Sequence, residues 1–232
     1  MATVTTSGRT VPPRNHPAVP RRRTVGLWWL ALSALVIAVY APLPYLLQPL
    51  SQLAVNGSEI AVNYAARPDW VRGAFAVHIV FGGVALLLSP VQLSARLRAR
   101  VPRVHRLVGR VVLASIVLAG TAGFLLSWVN AAGSVGTAGF GGLAVLWVTF
   151  ALLGLRAILR RDVVAHRRWM LRTFAMTYAA VTLRLWLVAL IPLLGDFHSA
   201  YLLVPFLCWV PNLVVVELLL RRGVTDGSRR PG

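Results

Sequence analysis

Hydrophobic residues arrive along this chain in long runs, separated by shorter stretches rich in arginine, proline or glycine. About 18 apolar residues with few charges suffice to cross a bilayer as a helix. Six such runs occur, at about 25–48, 72–93, 108–129, 138–159, 170–193 and 199–220. The pattern predicts an all-α polytopic membrane protein, a bundle of six transmembrane helices. Pro42, Pro44 and Pro49 should kink or end the first helix. A polar connection at 51–71 follows, with Trp70 suited to a membrane interface. Within it, Asn56-Gly57-Ser58 matches a glycosylation acceptor and is at least as good a turn. Short Gly-containing turns at 130–137 and 195–198 join later helices.

Charge then orients the bundle. All 24 basic residues are arginine, and the formal net charge is +18. They cluster before the first span, between spans two and three, between spans four and five, and after the sixth; the opposite side carries only Arg67 and Arg72. The positive-inside rule therefore places both termini in the cytoplasm, which suits a bacterial cytoplasmic membrane. Residues 1–24 and 221–232 read as disordered basic tails, and His16 in the first gets no role. The first tail is not a signal peptide, because the apolar run after it is too long for an h-region. The arginine clusters would draw anionic lipid headgroups, at about 1 kcal/mol per residue. No base-reading or stacking element accompanies them, so nucleic acid is excluded as a partner.

Composition removes several chemistries. Without lysine there is no Schiff base for retinal or pyridoxal phosphate. One cysteine, Cys208, allows no intrachain disulfide, no CxxCH haem attachment and no thiolate metal cluster. Acidic pairs, HExxH, a P-loop and a nucleophile elbow are all missing, which speaks against hydrolysis and nucleotide-driven transport. Whether the chain is an enzyme stays open.

The candidate chemistry lies with histidines and one arginine. His78 and His105 each have a glycine four residues on, Gly82 and Gly109, hence on the same helix face. A flat ligand or another helix could approach there. From His78 a small and polar stripe continues through Ala85, Ser89 and Gln92, and such a stripe faces protein rather than lipid. A second stripe runs His166, Met170, Thr173, Thr177 and Arg184. It sets His166 at the inner surface and Arg184 about 27 Å further out, near the depth of His78. Arg184 should face the bundle and wants an acceptor. A bound anion would supply one, as would backbone carbonyls or snorkelling to the interface. Glu217 is expected to pair with Arg221, four residues on.

His105 and His166 at the inner helix entrances, with His78 and His198 on the outer side, match the two-plus-two set of bis-histidine haem b, with arginines for the propionates. On that reading His105 and His166 ligate the iron, and electrons pass from a cytoplasmic or quinone donor. On the alternative, a non-redox protein binds or transports an anionic or lipid ligand at Arg184, His78, Gln92 and Thr177. A structural membrane protein with no chemistry is the third.

Several motifs together carry a resemblance. They are His78 with Gly82-Gly83, Ser89-Pro90-Val91-Gln92, Arg103 through Arg110, His166-Arg167-Arg168-Trp169-Met170 and Thr182-Leu183-Arg184. Over roughly 72–187 the chain resembles a bacterial family of multi-span membrane proteins, domain of unknown function 2306. The resemblance implies the fold type and no settled activity. His78, His105, His166 and Arg184 fall on its motif positions; His198 does not. More loosely, the spacing is similar to diheme cytochromes of the b561 type, with the fourth in-membrane histidine missing.

Overall fold

The six apolar runs become six candidate spans of 20 to 32 residues. A 25-residue helix is about 37 Å long at 1.5 Å per residue, enough for the bilayer's apolar layer. The computed structural model describes residues 21–227, and among these there are helices and no strand. The first 20 residues and the last five, with His16, lie outside the described residues.

The first span is α1 (Arg21–Tyr40) and α2 (Leu43–Leu47), divided where Pro42 and Pro44 fall, as their missing N–H groups dictate. The polar connection is folded rather than extended, into α3 (Leu50–Val55) and α4 (Glu59–Ala65). Asn56-Gly57 is the turn between them, with Gly57 at φ +85°, and the Ser58 hydroxyl caps α4 by accepting from Ala61 N–H. The second span is α5 (Asp69–Leu93). The short arginine-bearing α6 (Ala95–Arg100) leads to α7 (Pro102–Leu126), α8 (Gly133–Leu159) and α9 (Val163–Thr177). The chain ends in α10 (Ala179–Leu194), α11 (Phe197–Leu207) and α12 (Val210–Gly227).

Three boundaries differ from expectation for physical reasons. Helix α7 starts at Pro102 instead of 108, since proline's fixed φ favours the first helical position and arginine is tolerated at the interface. Helix α9 starts at Val163 instead of 170, capped by the Asp162 carboxylate accepting from Ala165 N–H at 2.9 Å. His105 and His166 are therefore in first helical turns, not before them. The glycine-rich stretch from 133 is helix, because its bare faces let α8 press on its neighbours.

The fifth and sixth spans are each interrupted. Helix α9 passes to α10 at Tyr178, where the Thr173 and Thr177 hydroxyls donate back to the carbonyls four residues earlier, a habit that bends helices. Helix α11 passes to α12 at Cys208 and Trp209, between Pro205 and Pro211. The two breaks are tied together. The Asn212 amide donates to Ala175 O (3.2 Å), Thr182 Oγ1 (3.1 Å) and Cys208 O (3.0 Å), and the Thr182 hydroxyl donates to Cys208 O.

Helices α5 and α7 pack most intimately, with α8 against α9 next. The central core joins Ala85, Ile116, Ala119, Trp147, Ala151, Ala175 and Met176, small residues around one indole. Towards the arginine-poor end this core divides. One cluster holds Tyr64, Val71, Phe75 and Leu126, with Tyr45 packed on it. The other holds Leu190, Ala200 and Val204, with Phe140, Trp186 and Tyr201 packed on it. The two share no residue. Below them, Ala34, Leu86, Tyr178 and Val181 bind α1 to α5 and α10, and the Ser33 and Tyr178 hydroxyls are bonded at 2.7 Å.

Glu217 does not take Arg221 as its main partner. Arg172 on α9 grips it with two hydrogen bonds, Nε to Oε1 at 2.5 Å and the second guanidinium nitrogen to Oε2 at 2.9 Å. Both carboxylate oxygens are thereby engaged by one guanidinium in a two-pronged pair between α9 and α12, and Arg172 also lies over the Trp169 ring at 4.6 Å. Arg221 adds a favourable charge nearby.

Candidate functional site

The seam between the two divided clusters holds the chain's most costly residue. Arg184 on α10 and His78 on α5 each sit about 15 Å from the arginine-poor end, and the Arg184 charge reaches His78. Tyr45 from α2 and Tyr201 from α11 also act on the guanidinium. An arginine at mid-membrane costs about 2.5–3.5 kcal/mol on insertion scales. Yet among the described residues Arg184 forms no ion pair; its hydrogen bond goes to Ala180 O, 2.6 Å away on its own helix. One of five N–H donors is so used.

His78 points inward and is held. Its Nδ1–H donates to Ala119 O at 2.9 Å, which leaves Nε2 free. The room for the ring comes from Gly123 on α7, where a Cβ would lie 2.9 Å from Nδ1. Gly82, expected to let a flat ligand or another helix approach, is met by α7: a Cβ there would lie 4.0 Å from the Ala119 methyl. Likewise Gly109 faces the Gln92 amide oxygen at 3.5 Å, and the Gln92 amide nitrogen donates to His105 O at 3.3 Å. Both glycines serve the α5–α7 contact.

The arginine-rich end brings the other two histidines near each other, within electrostatic reach and with Arg98 and Arg106 close to His105. His166 Nδ1–H donates to Gly154 O at 2.8 Å, leaving Nε2 free. The His105 Nδ1 is buried without a partner. His198 is elsewhere: exposed in the first turn of α11 beside Asp196, it does not join His78.

Thr177 is fully engaged, donating to Thr173 O and accepting from Trp147 Nε1 at 2.9 Å. Thr177→Val is expected to cost about 1 kcal/mol in an SDS-unfolding titration, in the range of interhelical bonds in membranes, and to leave ligand affinity unchanged. A large loss of affinity at unchanged stability would restore Thr177 to the site.

Sequence reasoning missed the tyrosines. Tyr45 lies over Phe75 edge-on (centroids 5.2 Å), Tyr64 stacks on Phe75 (4.7 Å), and Tyr201 stacks on Phe197 (5.0 Å). Their signal was that three tyrosines fall towards the arginine-poor end, one of them, Tyr201, four residues after Phe197 and so on its helix face. At the surface above them a depression is lined by Glu59, Ala131, Asp196, Phe197 and His198. The Ser199 N–H bonded to Asp196 holds that carboxyl below its usual range, so it is ionised at neutral pH.

A family model described as "Predicted membrane protein (DUF2306)" matches residues 75–220. No curated protein and no solved structure matches the chain. The matched region contains His78, His105, His166, Arg184 and Tyr201, and leaves out Tyr45 and Tyr64.

Proposed function

Given that the chain belongs to the DUF2306 family of predicted membrane proteins, we propose that it binds or transports a ligand bearing an oxyanion, a carboxylate or a phosphate, inside the membrane at Arg184. The carrying observation is a guanidinium at mid-membrane within electrostatic reach of two phenols and an imidazole, with no carboxylate paired to it among the described residues. A buried cation is tolerated when a counter-charge arrives with good hydrogen bonds. Arg184 offers the fork for it, and Tyr45 and Tyr201 carry further O–H donors. His78 Nε2, with the ring proton on Nδ1, can accept a hydrogen bond from an acid that arrives neutral. The arginine-rich end faces the cytoplasm of a bacterial inner membrane, so the site lies in the outer half. The test is equilibrium binding of decanoate and decyl phosphate to purified, delipidated protein. Arg184→Gln should weaken both at least about 30-fold, the equivalent of about 2 kcal/mol for a charged hydrogen-bonded pair. Equal affinity in the variant rejects the site.

A second reading, haem b held for electron transfer to or from a quinone, is favoured by the approach of His105 and His166. The imidazoles suit axial ligation: one is anchored through Nδ1 to a carbonyl, and the other has a buried nitrogen free. Gly82 and Gly109 are taken up in the α5–α7 contact, the other of the two approaches that their spacing allowed. Haem would bring one-electron chemistry, with Arg98 and Arg106 near enough to meet its propionates. This reading predicts a Soret band that shifts on dithionite reduction and disappears in His166→Ala. A folded, colourless preparation from haem-supplied cells removes it.

A further inference from the structure

We infer that the ligand of Arg184 is an amphiphile, an acidic headgroup on an apolar chain, which enters sideways from the bilayer between α2 and α10. This rests on the Arg184 reading and adds the ligand's class and its route.

At Arg184 the surface of α10 is turned towards lipid. Helix α2 packs chiefly on its chain neighbours α1 and α3, and α1 touches α10 more lightly than it touches α5. The clusters on either side have separate members. Arg184 keeps part of its surface uncovered, and Val188, one helical turn on and on the same face, is 74% exposed. Leu185 beside it is 52% exposed, and Leu46 and Leu47 on α2 are 56% and 71% exposed. A headgroup at the guanidinium would leave its chain lying over these apolar side chains.

The aqueous route is the wrong charge. The depression at the arginine-poor surface presents the carboxylates of Glu59 and Asp196, which repel a dissolved anion. Phe197, which lines it, is stacked on Tyr201, one helical turn on and within electrostatic reach of Arg184. A soluble anion would also have to shed its water at mid-membrane without any apolar burial in return. An amphiphile gains about 0.8 kcal/mol for each CH₂ it buries, and it is already in the bilayer.

The experiment compares decanoate with acetate, and decyl phosphate with inorganic phosphate, on protein reconstituted in nanodiscs. The Arg184→Gln variant and Val188→Trp, a bulky side chain at the lipid-facing entrance, are measured alongside. The long-chain member of each pair should bind at least about 100-fold more tightly. Val188→Trp should slow its association at least about tenfold, and the Arg184 variant should lose binding. If acetate and phosphate bind as well as their long-chain counterparts, through Arg184, the anion site stands and the amphiphile is rejected. Long-chain binding that ignores Val188→Trp rejects the lateral route. If no probe depends on Arg184, both readings fall. Thermal melts show whether each variant is folded, and Arg184→Lys keeps the charge should Arg184→Gln fail to fold.

Discussion

Gly139→Ala is expected to destabilise the protein by about 3 kcal/mol, the upper end of what overpacking costs. The new Cβ would stand 2.5 Å from Pro205 Cβ and 2.8 Å from that residue's carbonyl carbon and oxygen. Backbone cannot rotate aside as a side chain can, so α8 and α11 must part. The Trp209 indole ties the same point, with Nε1–H shared between Pro205 O (2.9 Å) and Gly139 O (3.2 Å). Overpacking alone costs about 1–3 kcal/mol, and loosening an interhelical bond adds about 0.6. Gly142→Ala is the control. Its Cβ would meet the Trp209 ring at 3.9 Å, an ordinary contact, and its effect should stay within about 0.5 kcal/mol. SDS-unfolding titrations on both variants check the pair; equal stabilities would mean that α8 and α11 are not so close.

Arg184→Gln is expected to act in the opposite direction on the ligand-free protein, stabilising it by about 2 kcal/mol. The wild-type residue brings a mid-membrane cation with no carboxylate to meet it among the described residues, at a cost of about 2.5–3.5 kcal/mol. Its bond to Ala180 O returns part of that. Glutamine removes the charge and can still donate. The Arg172–Glu217 pair is the contrast, since breaking a matched pair leaves one charge without its partner, and Glu217→Gln should destabilise. Delipidated protein in SDS titrations gives both signs. Should Arg184→Gln lose stability as Glu217→Gln does, a protein group is already serving as the acceptor.

The spans were legible because membrane crossing needs length and apolarity, and both are local properties of the sequence. The inward placement of His78 was legible for a related reason, since helical spacing puts it on a small and polar stripe; the stripe that carried Arg184 is interrupted at Tyr178, and Arg184 is only half-buried. Partners were not. Glu217 lies four residues before Arg221, and sequence spacing alone favoured that pair over Arg172, which only tertiary packing brings near. The same limit hid the role of Gly123. The glycine that makes room for the His78 imidazole is on the neighbouring helix, where no spacing along α5 points to it. Tyr45 and Tyr201 come from opposite ends of the chain and meet at Arg184 only once α2 and α11 are in place. The breaks at Tyr178 and Cys208 depend on hydroxyl and amide bonds between spans, which no single-helix pattern reports.

A density map of the protein in lipid nanodiscs, at a resolution that shows side chains, would decide whether Arg184 holds an amphiphile. The expected map has a headgroup-sized feature against the Arg184 guanidinium, continuing as a chain between α2 and α10 and absent from Arg184→Gln. A seam closed by side chains, with the guanidinium bonded only to backbone carbonyls, would contradict it.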